Sequence, residues 1–122
     1  LAGTRLFVPT SYDTTIQDRE LVNLLEEVDR AEGSVAVVGD FNMTEGSAGY
    51  SELRRRLVDA YREAGWGFGH TFPDREARSI PTPFPLLRID YVFHSADLVT
   101  QRANVGDRGG PDHRFLTAEL SF

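Results

Sequence analysis

Residues Val35 to Val38 form an unbroken apolar run, Val-Ala-Val-Val, closed by Gly33 on one side and Gly39 on the other. A run this short without alternation reads as a strand buried on both faces, since a strand with one wet face alternates polar and apolar side chains. Such a strand needs material above and below it, and that requirement confines the chain to a layered arrangement. The preceding segment supplies a first layer. Thr14 and Gln17 have capping-box spacing, and Ile16, Leu21, Leu24, Leu25 and Val28 form one apolar stripe of a helix reaching about Arg30. Glu32-Gly33 closes that helix, and Thr4 to Val8, ending at Pro9, reads as a short strand before it.

Beyond the central run, the spacing of Leu53, Leu57, Val58, Tyr61 and Ala64 predicts a second helix over Tyr50 to Ala64. Gly65 to Leu87 is rich in proline and glycine and reads as loop, with a brief strand at His70-Thr71-Phe72. Arg88 to Phe93 and Leu98 to Val105 read as a strand pair joined through His94-Ser95-Ala96-Asp97. Asp107 to Pro111 reads as a turn-rich loop and Phe115 to Leu120 as a final strand. This order, β-α-β-α followed by strands, predicts an α/β (α+β) chain with a mixed, mostly antiparallel sheet and helices on one face.

With 122 residues, 40% of them hydrophobic, the chain suffices for one domain with a modest core. A net charge of -6 argues against a broad basic surface for gripping nucleic acid, though not against a local cleft that handles phosphate. The absence of cysteine excludes disulfides, thiolate zinc sites and cysteine nucleophiles. The Val35–Val38 run is far too short to span a bilayer. A dinucleotide turn needs G-x-G-x-x-G and only Gly39 is in place; no G-x-S-x-G nucleophile elbow occurs either.

Polar clusters stand at the ends of three apolar runs: Gly39-Asp40-Phe41-Asn42, Arg88-Ile89-Asp90, and Pro111-Asp112-His113-Arg114. Strand ends are where a sheet can deliver several side chains to one cleft. Taken singly, each has a plain structural reading. Asp40, Asn42 and Asp112 are common turn formers, Asp90 suits an ion pair with Arg88 or Arg114, and His113 suits an ordinary loop. His70 and His94 read as structural or solvent-exposed, and Arg54-Arg55-Arg56 as the wet side of a helix. Trp66 and Phe68 flank glycines and could touch substrate, with core packing the favoured reading.

In this order and spacing the three clusters resemble the endonuclease/exonuclease/phosphatase family, marked by Gly-Asp-Phe-Asn, Arg-Ile-Asp and a terminal Ser-Asp-His. Leu57-Val58-Asp59-Ala60 and Thr71-Phe72-Pro73 add to the likeness, which spans nearly the whole chain. The resemblance implies a four-layer α/β sandwich of which this chain is the C-terminal half. It also implies hydrolysis of phosphodiesters or phosphomonoesters with magnesium or manganese, on nucleic acid, phospholipid or nucleotide-like substrates. By the same resemblance Asp40 orients or deprotonates the attacking water, Asn42 and His113 contact the phosphate, Asp90 orients His113, and Asp112 lies near the metal. The family's early Asn and metal-binding Glu belong to an N-terminal half upstream of Leu1, so the chain reads as a truncated fragment, poorly active by itself. Two further departures are the lack of a His near Leu6 to Thr10 and Pro111 where Ser is usual. The competing reading is a non-catalytic binding module or docking half-domain of the same fold. A half-domain leaves the inner sheet face, including Val92, Phe93 or Leu120, to pair with another copy, to be covered by the N-terminal half, or to stay partly exposed.

Overall fold

The computed structural model describes residues 5–7, 14–73, 85, 87–106 and 113–122, with side chains from residue 18 onward. The expected capping box at Thr14 and Gln17 and the loop at Asp107 to Pro111 therefore lie outside the described side chains. The elements run β1 (Arg5–Phe7), α1 (Thr14–Arg30), β2 (Val35–Asp40), α2 (Ala48–Arg56), β3 (Val58–Asp59), α3 (Ala60–Ala64), β4 (Asp90–His94), β5 (Val99–Val105) and β6 (Leu116–Ser121). Among the described residues no helix is long and apolar enough to cross a membrane.

The first sheet has the order β1-β2-β4-β3, with β1 parallel to β2 and β4 antiparallel to both its neighbours. Side chains alternate across it. Val35 and Val37 of β2, with Tyr91 and Phe93 of β4, face a core completed by Tyr50 and Leu53 of α2 and by Leu21, Leu24, Leu25 and Val28 of α1. The even-numbered set, Ala36, Val38 and Asp40 opposite His94, Val92 and Asp90, faces the other way. Helices thus cover one face, as the apolar periodicities require.

The second helical segment differs from the expected single helix over Tyr50 to Ala64. Helix α2 stops at Arg56, Leu57 is extended (φ −131°, ψ 157°), and Val58-Asp59 pairs as an edge strand with His94 and Phe93 before α3 begins. The apolar spacing is common to both outcomes; the break arises because Asp59 caps α3 through Tyr61 N–H (3.1 Å) and Arg62 N–H (3.3 Å).

The expected pairing of the two strands after Arg88 is also replaced. Strand β4 joins the first sheet, and β5 pairs with β6 in a separate two-stranded sheet. The turn after His94 is tied to the start of β2: Ser95 N–H donates to the Val35 carbonyl (2.9 Å) and Val35 N–H to Ser95 Oγ (2.9 Å). The chain then leaves for a second layer. Thr100 and Ala103 of β5 are buried, and a register shift between Thr100 and Arg102 leaves both Gln101 and Arg102 exposed. His94 Nε2 lies 2.8 Å from Thr100 Oγ1, joining the two sheets. Val92 and Phe93 are buried within this chain and Leu120 is half-buried, so they do not form the open face expected of them.

Candidate active site

The last residue of β2 and the first of β4 are direct cross-strand partners: Asp40 opposite Asp90. Both fall on the even-numbered face, turned away from the helices. Two carboxylates so placed repel unless a positive group or a proton donor stands between them. His113 fills that role. Its Nδ1 lies 2.9 Å from Asp90 Oδ2, and its Nε2 lies 3.7 Å from Asp40 Oδ2. The three side chains retain 24%, 19% and 27% exposure for Asp40, Asp90 and His113, enough for a ligand to reach them. One donor atom from each falls within 4.8 Å of the others.

Several backbone bonds hold His113 there although no regular element contains it. Arg114 N–H donates to the Thr71 carbonyl (2.8 Å), and Gly106 N–H donates to the Phe115 carbonyl (2.9 Å). Thr71 in turn donates its backbone N–H to the Leu87 carbonyl (2.8 Å), just before β4. Its side chain is fully buried, and the hydroxyl donates to Asp90 Oδ2 at 2.5 Å. The Phe72 ring packs against the His113 ring with centroids 4.9 Å apart. With Asp90 accepting from Nδ1–H, the other imidazole nitrogen faces Asp40 and the cleft, oriented to exchange a proton there.

Asn42 sits in the left-handed region (φ +51°), where Asn is among the best-tolerated side chains. Its backbone N–H donates to Asp40 Oδ1 at 2.7 Å, so the pair forms a turn as well as bordering the site. Its side chain is exposed. Asp40, Asp90 and His113 are therefore brought together, with Asn42 adjoining through the turn; Asp112 lies outside the described residues.

Arg88 is not an ionic partner for Asp90. It is buried, directs two guanidinium nitrogens at the Asp59 oxygens (2.6 and 2.5 Å), and lies between the rings of Tyr61 and Tyr91. His94, read as structural or exposed, is fully buried against Glu63 and Thr100. The expectation that Trp66 and Phe68 belong to the core fails: they are 94% and 82% exposed. Sequence reading left Thr71 without a role. Its signals are its places in the His70-Thr71-Phe72 element and in Thr71-Phe72-Pro73, where a threonine beside aromatics gives no hint of an acid 19 residues further along the chain.

The donor set suits an oxygen-preferring divalent ion. Asp40 and Asp90 present carboxylate oxygens at an accessible cleft, while the imidazole is already engaged through Nδ1.

A model of the Endonuclease/Exonuclease/phosphatase family matches residues 3–119. Among curated proteins none matches by sequence. Among solved structures, the mannosyl-6-phosphatase of Bacteroides thetaiotaomicron VPI-5482 is similar at TM-score 0.73 and 19% identity, over 98% of this chain and 51% of that one. A conserved protein of unknown function from Enterococcus faecalis V583 is similar at TM-score 0.74 and 18% identity, over 95% and 49%. An endonuclease/exonuclease/phosphatase from Bacteroides vulgatus is similar at TM-score 0.67 and 20% identity, over 95% and 47%. At these identities the likeness concerns the fold, and the chain spans about half the length of each structure.

Proposed function

Because the chain belongs to the endonuclease/exonuclease/phosphatase family, we propose that it supplies part of the active site of a magnesium- or manganese-dependent phosphoesterase. The family is generally hydrolytic and divalent-metal dependent. The observation that carries the reading here is the Asp90–His113–Asp40 line, 2.9 Å and 3.7 Å, at two paired strand ends.

Cleaving a phosphate ester requires an activated water, stabilisation of charge on the phosphoryl oxygens and protonation of the leaving oxygen. Asp40 orients the attacking water or accepts its proton. His113 holds or moves a proton at Nε2, beside the scissile phosphate. Asp90 positions that ring by accepting from Nδ1 and supports it when it carries positive charge. The Asn42 side chain, a neutral donor, binds a phosphate oxygen without repelling it. Asp40 and Asp90, together with Asp112 as the resemblance implies, would hold the divalent ion. When bound, that ion polarises the phosphoryl group and stabilises the leaving oxygen. The substrate is a phosphate ester, and a preceding half of the same domain completes the site.

The test uses the longer catalytic domain containing this chain. His113→Ala and Asp40→Ala should each lower turnover on the order of 10²–10⁴-fold, the range of positioned acid–base groups. Chelation should abolish activity, and magnesium or manganese should restore it. Near-normal turnover in either variant refutes these roles, whereas a wild-type domain that hydrolyses no phosphate ester with magnesium or manganese favours the non-catalytic binding module.

A further inference from the structure

The loop that follows α3 reads Gly65-Trp66-Gly67-Phe68-Gly69. Its backbone wraps the buried ring of Tyr61. A Cβ on Gly65 or Gly69 would come within 2.5 Å of that ring, so only glycine allows the approach. The Tyr61 hydroxyl donates to the Trp66 carbonyl, pinning the middle of the loop. With the tyrosine occupying the space beneath, the indole of Trp66 and the ring of Phe68 are left 94% and 82% exposed. Two large aromatics, separated by one glycine and exposed on a backbone anchored in this way, form a patch of the kind that marks contact sites.

The surroundings narrow the ligand. Phe68 stacks on His70, with centroids 5.3 Å apart and planes 19° from parallel. Two residues further on, Phe72 packs against His113, and between them Thr71 holds Asp90. The displayed rings therefore share one short segment with Thr71 and Phe72, which support Asp90 and His113. Phe68 also borders a pocket of about 210 Å³ whose walls include Arg62, Arg88 and Glu45. Pockets for whole drug-sized ligands begin at roughly 300 Å³, so this one suits a single ring-sized group. Charged walls disfavour a lipid tail, and a net charge of -6 disfavours the long basic groove that tracks a polynucleotide.

We propose that Phe68 and Trp66 form a stacking subsite for a planar heteroaromatic ring borne by the substrate, making a small nucleotide-type phosphoester the preferred class. The ring extends the Phe68–His70 stack on its open side, while the ester phosphate lies at His113. This deepens the phosphoesterase reading and rests on it for the placement of the phosphate.

The experiment is a calorimetric titration of the longer domain with adenosine 5′-monophosphate and with ribose 5-phosphate, in chelator so that nothing turns over. Stacking on aromatic side chains predicts that the adenosine compound binds tighter by on the order of ten- to a hundredfold. Phe68→Ala, an exposed substitution compatible with the fold, should bring the two ligands close to equal while leaving ribose 5-phosphate unchanged. The emission difference between wild type and Trp66→Phe isolates this indole, and it should be quenched by the nucleotide alone. Equal affinities in the wild type overturn the subsite, as does a preference that survives Phe68→Ala combined with Trp66→Ala. An indole already blue-shifted before ligand is added shows the loop covered by another part of the protein, which also overturns it. Turnover retained by His113→Ala would instead remove the catalytic reading and leave the ring preference to stand on its own measurement.

Discussion

Thr71 decides how Asp90 is used. One carboxylate oxygen, Oδ2, accepts both the Thr71 hydroxyl at 2.5 Å and His113 Nδ1 at 2.9 Å. The hydroxyl fixes the carboxylate, and the carboxylate fixes the ring, so Thr71 is a positioning residue one step behind the imidazole. Loss of such an outer partner typically costs about 10–100-fold in activity. Thr71→Val, nearly isosteric, should therefore lower kcat within that range with little change in KM. Thr71→Ser, which keeps the donor, should stay within a few-fold of wild type. Steady-state kinetics on the longer domain distinguish these outcomes, and equal losses for both variants would show a packing role only.

At the scale of elements, Asp59 joins three of them. It caps α3, accepts the Tyr50 hydroxyl of α2 at 2.8 Å, and pairs with Arg88 just before β4. Burial, then the hydrogen bond to Asp59, pushes the Tyr50 phenol up to about 12, which keeps it a donor. Arg88 lies 5.1 Å from the Tyr61 ring centre and 4.8 Å from that of Tyr91, within cation–π range. Burial lowers its pKa, yet the hydrogen bonds and charge of Asp59 more than offset this and raise it. Removing one member of a fully buried pair costs about 3–5 kcal/mol, because the other charge is left without compensation. Asp59→Ala should lose that much in urea unfolding, or fail to show a cooperative transition. A loss well under this range would mean that water or a neighbour replaces the carboxylate.

Across the whole molecule, the two sheets are joined through Glu63. Its carboxylate accepts from Thr100 N–H of β5 at 2.8 Å and lies 2.9 Å from His94 Nε2 of β4. Burial raises the Glu63 pKa, but hydrogen bonds from the Thr100 side chain and backbone and from His94 outweigh it. The folded value ends below the ordinary 4.5. A carboxyl lowered on folding contributes stability above its unfolded pKa and loses it as pH falls through the folded one. Wild-type stability should thus decline in the window beneath the ordinary value, and Glu63→Gln should flatten that part of the curve. Urea midpoints measured at a series of acidic pH values check this; identical slopes for the two proteins would exclude Glu63 as the link.

Local chemistry along the chain determined much of this protein. The buried run at Val35–Val38, the stripe of α1 and the acids closing β2 and opening β4 follow from side-chain period and turn residues, which act over a few positions. Tertiary structure decided what depends on partners distant in the chain. Asp59 broke the expected second helix because its cap and its ion pair outweigh apolar spacing. Strand β5 left β4 for a second layer because Ser95 is tied to Val35. Trp66 and Phe68 lost the core to Tyr61, whose ring fills the space their hydrophobicity alone would have claimed. Hydrophobic pattern states that a side chain gains by burial; only the folded chain determines which competitor takes the volume.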